Sequence, residues 1–149
     1  MSQGTLRPFD PLRGDGEEKA GLDFMTPPMH EAIEQYFDGK PKTHRIFKAV
    51  HDYVHTLGPF QVSVGSQISL GVNRKFAWFW LYNVTQKNPN GTLHAMLRLD
   101  QRIDDPHIRQ IDQISKNRWN HQIIIRTAED ARSKWFKELI RAAYNFGGG

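Results

Sequence analysis

A chain of 149 residues, 38% hydrophobic and 11% aromatic, has room for one domain around a single core and little room for a second. No apolar run approaches the ~18–20 residues that cross a bilayer, and the N-terminus lacks the apolar h-region of a secretory signal, so the expectation is a cytoplasmic protein with no membrane partner. The absence of cysteine excludes disulfides, thiolate metal sites and cysteine nucleophiles, and the Asn83-Val84-Thr85 sequon has no meaning without secretion.

Residues 1–25 hold Pro8, Pro11, Gly14, Gly16, Gly21 and the acidic pair Glu17-Glu18 without any periodicity, a composition that predicts a disordered acidic leader. The folded domain is expected over residues 26–146. Thr26 offers a cap and Pro27-Pro28 suit a first turn. Met29, Ala32, Ile33, Tyr36 and Phe37 then make one apolar stripe, which Gly39 can close in a left-handed conformation. A second helix is predicted from about Thr43 to Leu57, with Ile46, Phe47, Val50, Tyr53, Val54 and Leu57 inward and Gly58-Pro59 as its stop.

Strand-like alternation follows over Phe60–Val64 and Ile68–Val72, joined and followed by short turns at Gly65-Ser66 and Asn73-Arg74. Phe76 to Tyr82 is apolar on both faces and reads as a central strand, with Phe76, Trp78 and Trp80 expected on one side and Ala77, Phe79 and Leu81 on the other. A loop over Asn83–Thr92 carries the turn signal Asn88-Pro89-Asn90-Gly91. Leu93, Ala95, Leu97 and Leu99 form the next inward row, and Ile108–Ile114 and Asn120–Arg126 two further strands. A single C-terminal helix is predicted from Ala128 to about Tyr144, with Thr127 and Asp130 at capping-box spacing and Gly147 to Gly149 as a flexible tail. Two helices, about six mostly antiparallel strands and a C-terminal helix on one face make an α+β fold.

The strings HEAIEQYFDGKP, RIFKAVHDYVHTLGP, ISLGVNRKFAWFWL, RIDDPHIRQI, RWNHQIIIRTAED and LIRAAY span about residues 28–146. In these pieces the chain resembles the bacterial and archaeal domain-of-unknown-function family 5655. The resemblance implies the α+β fold and carries no activity. Members of that family stand alone or joined to other domains, some of them nuclease-like, which leans toward nucleic acid. The chain departs from the usual pattern in its acidic leader, its extended 83–92 loop and its tryptophan-rich central strand. The strand–helix order is also more distantly similar to the small fold that includes double-wing DNA-binding proteins, an analogy of fold alone.

Charge is unevenly distributed. Residues 1–40 carry four Lys/Arg against eight Asp/Glu, whereas residues 41–149 carry sixteen against eight. A basic body suits a polyanionic partner, nucleic acid first among them, although charge of this size also serves solubility. No G-x-S-x-G elbow, phosphate-cradling loop or dinucleotide fingerprint is present, so the sequence specifies no reaction and calls for no cofactor. His51 and His55 share a helix face with His44 on the same side, but no third ligand is evident, and they read as a polar helix surface rather than a metal site. Asp104-Asp105-Pro106 reads as a turn rather than part of a magnesium cluster with Asp100 and Asp112.

The candidate ligand-binding residues are Arg118, Trp119, His121, Arg98, Trp78 and Lys116. Rings stack on bases and cations hold phosphates, which is how single-stranded nucleic acid is bound. Trp119 and His121 are expected on one strand face with Ile123 and Ile125, and Arg118 at a hairpin tip with Lys116. A core role for each tryptophan, and for His121 as a satisfied core histidine, stands beside the ligand role. The reading is a non-enzymatic binding module for an anionic ligand. Its alternatives are a small hydrolase or transferase using His121 as general acid–base, and a protein-interaction domain using a sheet edge.

Overall fold

The computed structural model describes residues 27–81 and 90–149. The acidic leader, the Thr26 cap, the sequon and most of the 83–92 loop lie outside the described residues. Helices α1 (Pro27–Tyr36) and α2 (Pro41–Leu57) precede six strands: β1 (Gln61–Val64), β2 (Ile68–Gly71), β3 (Lys75–Trp80), β4 (Leu93–Leu99), β5 (Ile108–Ser115) and β6 (Arg118–Ile125). Helices α3 (Ala128–Ala131) and α4 (Lys134–Gly148) close the chain. The strands form one antiparallel sheet in the order β1-β2-β3-β4-β6-β5. The α+β expectation therefore holds, with the helices outside the run of strands. None of the described helices is long and apolar enough to cross a membrane.

One face of the sheet holds the core. Ile68, Leu70, Ala77, Phe79, Leu93, Ala95, Leu97, Leu99, Ile123 and Ile125 join Ile33 of α1, Phe37 just after it, Ile46, Phe47, Val50 and Val54 of α2, and Phe136, Leu139, Ile140 and Ala143 of α4 in a single buried cluster. Phe47 and Phe79 meet edge to face, with centroids 5.6 Å apart, which seats α2 on the middle of the sheet. Removing either ring would cost about 3–5 kcal/mol. The perfect alternation of β4, with Leu93, Ala95, Leu97 and Leu99 buried and His94, Met96 and Arg98 half-exposed, is what a strand with one covered face requires.

The helix ends show where local sequence meets distant partners. Gly39 closes the turn after α1 at φ 76°, as its composition predicts. Helix α2 begins two residues earlier than expected, with Pro41 in its first turn and no cap from its own Lys40 side chain. Asn90 caps it instead. Its Oδ1 accepts the N–H groups of Lys42 at 2.9 Å and Thr43 at 3.3 Å, while Thr43 Oγ1 accepts the N–H of Gly91.

The predicted C-terminal helix is two helices. Thr127 caps α3 by accepting the Asp130 N–H at 2.9 Å, and Ser133 then caps α4 by accepting the Phe136 N–H. This second N-cap, two residues past Ala131, starts a new helix. Of the three glycines expected as a tail, the first is part of the fold. Gly147 is buried in the last turn of α4, and its carbonyl accepts the N–H groups of Asn73 and Arg74. The Arg74 guanidinium caps the same turn, donating to Phe146 O at 2.9 Å and lying 3.8 Å over the Phe146 ring.

A bulge in β3 shifts one side chain. Gly71 pairs with Lys75 and Leu70 with Ala77, so Phe76 is the extra residue. It turns to the helix side, where its ring meets Tyr144 edge to face at 5.6 Å, and it does not share the side of Trp78 and Trp80.

Candidate nucleic-acid interface

The second face of the sheet follows from the register. Trp78 pairs with Met96 and Met96 with Gln122; Trp80 pairs with His94 and His94 with Ile124; Arg98 pairs with Asn120. Trp78, Trp80, Met96 and Ile124 are half-buried, and all lie outside the core cluster. Among the described residues, then, the helices pack on one side, and the other presents two tryptophans, a methionine and an isoleucine. Apolar side chains in the middle of a sheet face that no described residue covers, hereafter the uncovered face, are a feature of binding surfaces rather than of plain solvated sheets.

Cations surround these rings. The Arg98 guanidinium lies 4.7 Å over the Trp78 ring, and its Nε donates to Asn120 Oδ1 at 2.8 Å. Partial burial, and then the charge of nearby Arg118, lower the Arg98 pKa from its ordinary value. At the opposite end of the face the His94 ring stacks on Trp80, with centroids 5.7 Å apart. Burial first, then the charges of Arg109 and Arg126, lower its pKa. Among the described residues no carboxylate pairs with any of these four arginines. A half-buried cation held against a like charge gains from an incoming anion.

The six sequence-predicted residues divide accordingly. Trp78, Arg98 and Arg118 come together on the uncovered face, and Lys116 is exposed in the β5–β6 turn two residues from Arg118. Trp119 and His121 share a strand face with Ile123 and Ile125 as predicted, and that is the helix side. His121 is wholly buried. Its Nε2 accepts the Ile103 N–H at 3.0 Å, and its Nδ1 donates to Trp119 O at 3.1 Å. A nitrogen that accepts an N–H carries no proton, so the ring is neutral with both nitrogens engaged, and burial lowers its pKa in the same sense. It anchors the 100–107 segment that carries the chain from β4 past β6 to the edge strand β5. This is the satisfied core histidine, and it leaves no nitrogen for acid–base chemistry.

Two features were not drawn from the sequence. His94 and Arg126 extend the face of Trp78 and Trp80, with Arg109 near enough for its charge to act on His94, and the signal that could have found Arg126 is the alternation Arg118, Asn120, Gln122, Ile124, Arg126 along β6. The second is a histidine–carboxylate pair. Asp105 Oδ1 lies 2.7 Å from His107 Nδ1 and also accepts the His107 N–H at 2.8 Å, which holds the Asp105 pKa low. The His107 ring stacks on Trp135 at 3.9 Å and 1° between planes. Asp105-Pro106 makes the turn that the sequence predicts, and this geometry is its product.

The helical histidines pack on aromatic neighbours. His44 stacks on Phe37, and His51 packs among Phe47, His55 and Phe60 with its Nε2 buried and unpaired. Among the described residues no group of three or more His, Asp or Glu side chains is placed to hold a metal ion.

No curated protein and no solved structure matches this chain. The family model described as "Domain of unknown function (DUF5655)" matches residues 33–147, which takes in both faces of the sheet and the docked glycine at the end of α4. The chain belongs to the DUF5655 family.

Proposed function

We propose that this domain binds single-stranded nucleic acid on the uncovered face of its sheet. The observation that carries this reading is Arg98 lying 4.7 Å over Trp78 with Arg118 beside it, a ring and two cations without a carboxylate partner among the described residues. An indole offers a sequence-tolerant stacking surface to any base, and arginines hold the phosphates that join the bases. The net excess of Lys/Arg over residues 41–149 favours the same partner at long range.

The test is a pair of tryptophan variants read in two ways. Trp78→Ala is expected to weaken binding of a single-stranded oligonucleotide by about 1–3 kcal/mol while costing much less stability than the 3–5 kcal/mol of a core aromatic. Trp119→Ala is expected to change binding little, because its side chain is on the helix side. Equal binding by Trp78→Ala and the parent chain would contradict the proposal.

A further inference from the structure

The uncovered face has two ring-and-cation units. In the first, Trp78 carries Arg98, with Arg118 close by. In the second, Trp80 carries His94, with Arg109 and Arg126 close by. The two indoles stand two residues apart on β3, with Ala77 and Phe79 turned into the core on the other side. A strand advances 3.2–3.4 Å per residue, so the two rings are about 7 Å apart along it. Consecutive bases in a stacked strand are about 3.4 Å apart. Two adjacent bases therefore reach the two indoles only when a strand is unstacked and each base lies on its own ring. A duplex cannot present bases this way, since its base faces are covered by their neighbours.

The cations divide in the same way. Arg118 stands at the start of β6 and Arg126 just after its end, with the amides of Asn120 and Gln122 between them on the same face. A backbone running along β6 meets a cation at each end and the half-buried Gln122 amide between them. His94 and Arg98 stand at i and i+4 on β4, on either side of Met96, so each ring has its own nitrogen-bearing plane.

We propose that Trp80, His94, Arg109 and Arg126 form a second nucleotide subsite, so that the face seats two consecutive, unstacked nucleotides of one strand. This rests on the single-strand reading of Trp78 and Arg98 and adds to it a defined second position and a reason to reject duplexes.

The experiment uses the full chain at low salt and four ligands: a thymidine mononucleotide, a dinucleotide, an octanucleotide and a hairpin duplex. The dinucleotide should bind more tightly than the mononucleotide, and the duplex more weakly than the octanucleotide. Trp80→Ala should abolish the gain from mononucleotide to dinucleotide and weaken octanucleotide binding at least about fivefold. Should Trp80→Ala fold poorly, Arg126→Ala changes an exposed residue outside the core. It should lower the salt slope of octanucleotide binding by about 0.7, one phosphate's worth. If Trp78→Ala weakens octanucleotide binding while Trp80→Ala and Arg126→Ala leave it intact, the second subsite is wrong and the first reading stands. Equal affinity for the duplex and the octanucleotide also overturns the second subsite. If the parent chain binds none of the four, both readings fall.

Discussion

Gly147 and Phe76 are in contact across the junction of α4 and β3: a β-carbon built on the glycine would lie 2.6 Å from Phe76 Cδ2 and 3.1 Å from the Arg74 carbonyl oxygen. Gly147 and Phe76 are both buried, so the Phe76 ring cannot give way cheaply.

Gly147→Ala is accordingly expected to destabilise the domain by about 1–3 kcal/mol through overpacking, against a helix-propensity gain of at most about 1 kcal/mol. Gly148→Ala meets nothing within 4 Å and should be neutral or slightly stabilising. Thermal melts of the two variants side by side check this. Equal melting temperatures would show that α4 does not dock its last turn as described.

Asn90 caps α2 from a position forty-eight residues further along the chain than Lys42. Asn90→Ala should cost about 0.5–2 kcal/mol, the range for loss of an N-cap. Asn90→Asp keeps the acceptor oxygen, adds a favourable charge at the helix N-terminus and should restore stability. Urea denaturation of the three proteins measures both effects.

The buried imidazole predicts a pH dependence. Burial lowers the pKa of His121, and of His44, His51 and His94 in the same direction. Below the ordinary value of about 6.5 the unfolded chain therefore binds more protons than the folded one. Stability is then fully present above about pH 7 and falls as the pH drops through about 6.5 toward the folded-state values. The urea midpoint should be lower at pH 5.5 than at pH 8, and a chain with His121→Gln should lose part of that difference. A midpoint constant across this range would contradict the neutral, hydrogen-bonded His121.

The fold was legible wherever one residue's neighbours are its own sequence neighbours. The alternation of Leu93, Ala95, Leu97 and Leu99 identifies β4, and the Thr127 cap identifies the start of α3. What alternation cannot show is which of a strand's two faces receives the helices. Along β6 it separates Trp119 and His121 from Arg118 and Asn120, but only the place of Ile123 and Ile125 in the buried cluster with the helices tells which set faces the core. Phe76 defeated the alternation because one bulged residue reverses a side chain. Arg98 and Trp78 are neighbours only through the register of β3 on β4, and the cap on α2 only through Asn90, both products of tertiary pairing. The pairing of His107 with Trp135 joins the start of β5 to the first turn of α4 and has no local signature.

The measurement closest to the central claim is the salt dependence of single-strand binding by the parent chain and by Arg98→Ala and Arg118→Ala. If the uncovered face holds phosphates, log affinity should fall linearly with log salt, and each variant should flatten the slope by about 0.7 without unfolding the domain. No binding at ~50 mM salt, or a slope untouched by either substitution, would contradict a nucleic-acid surface at Trp78, Arg98 and Arg118.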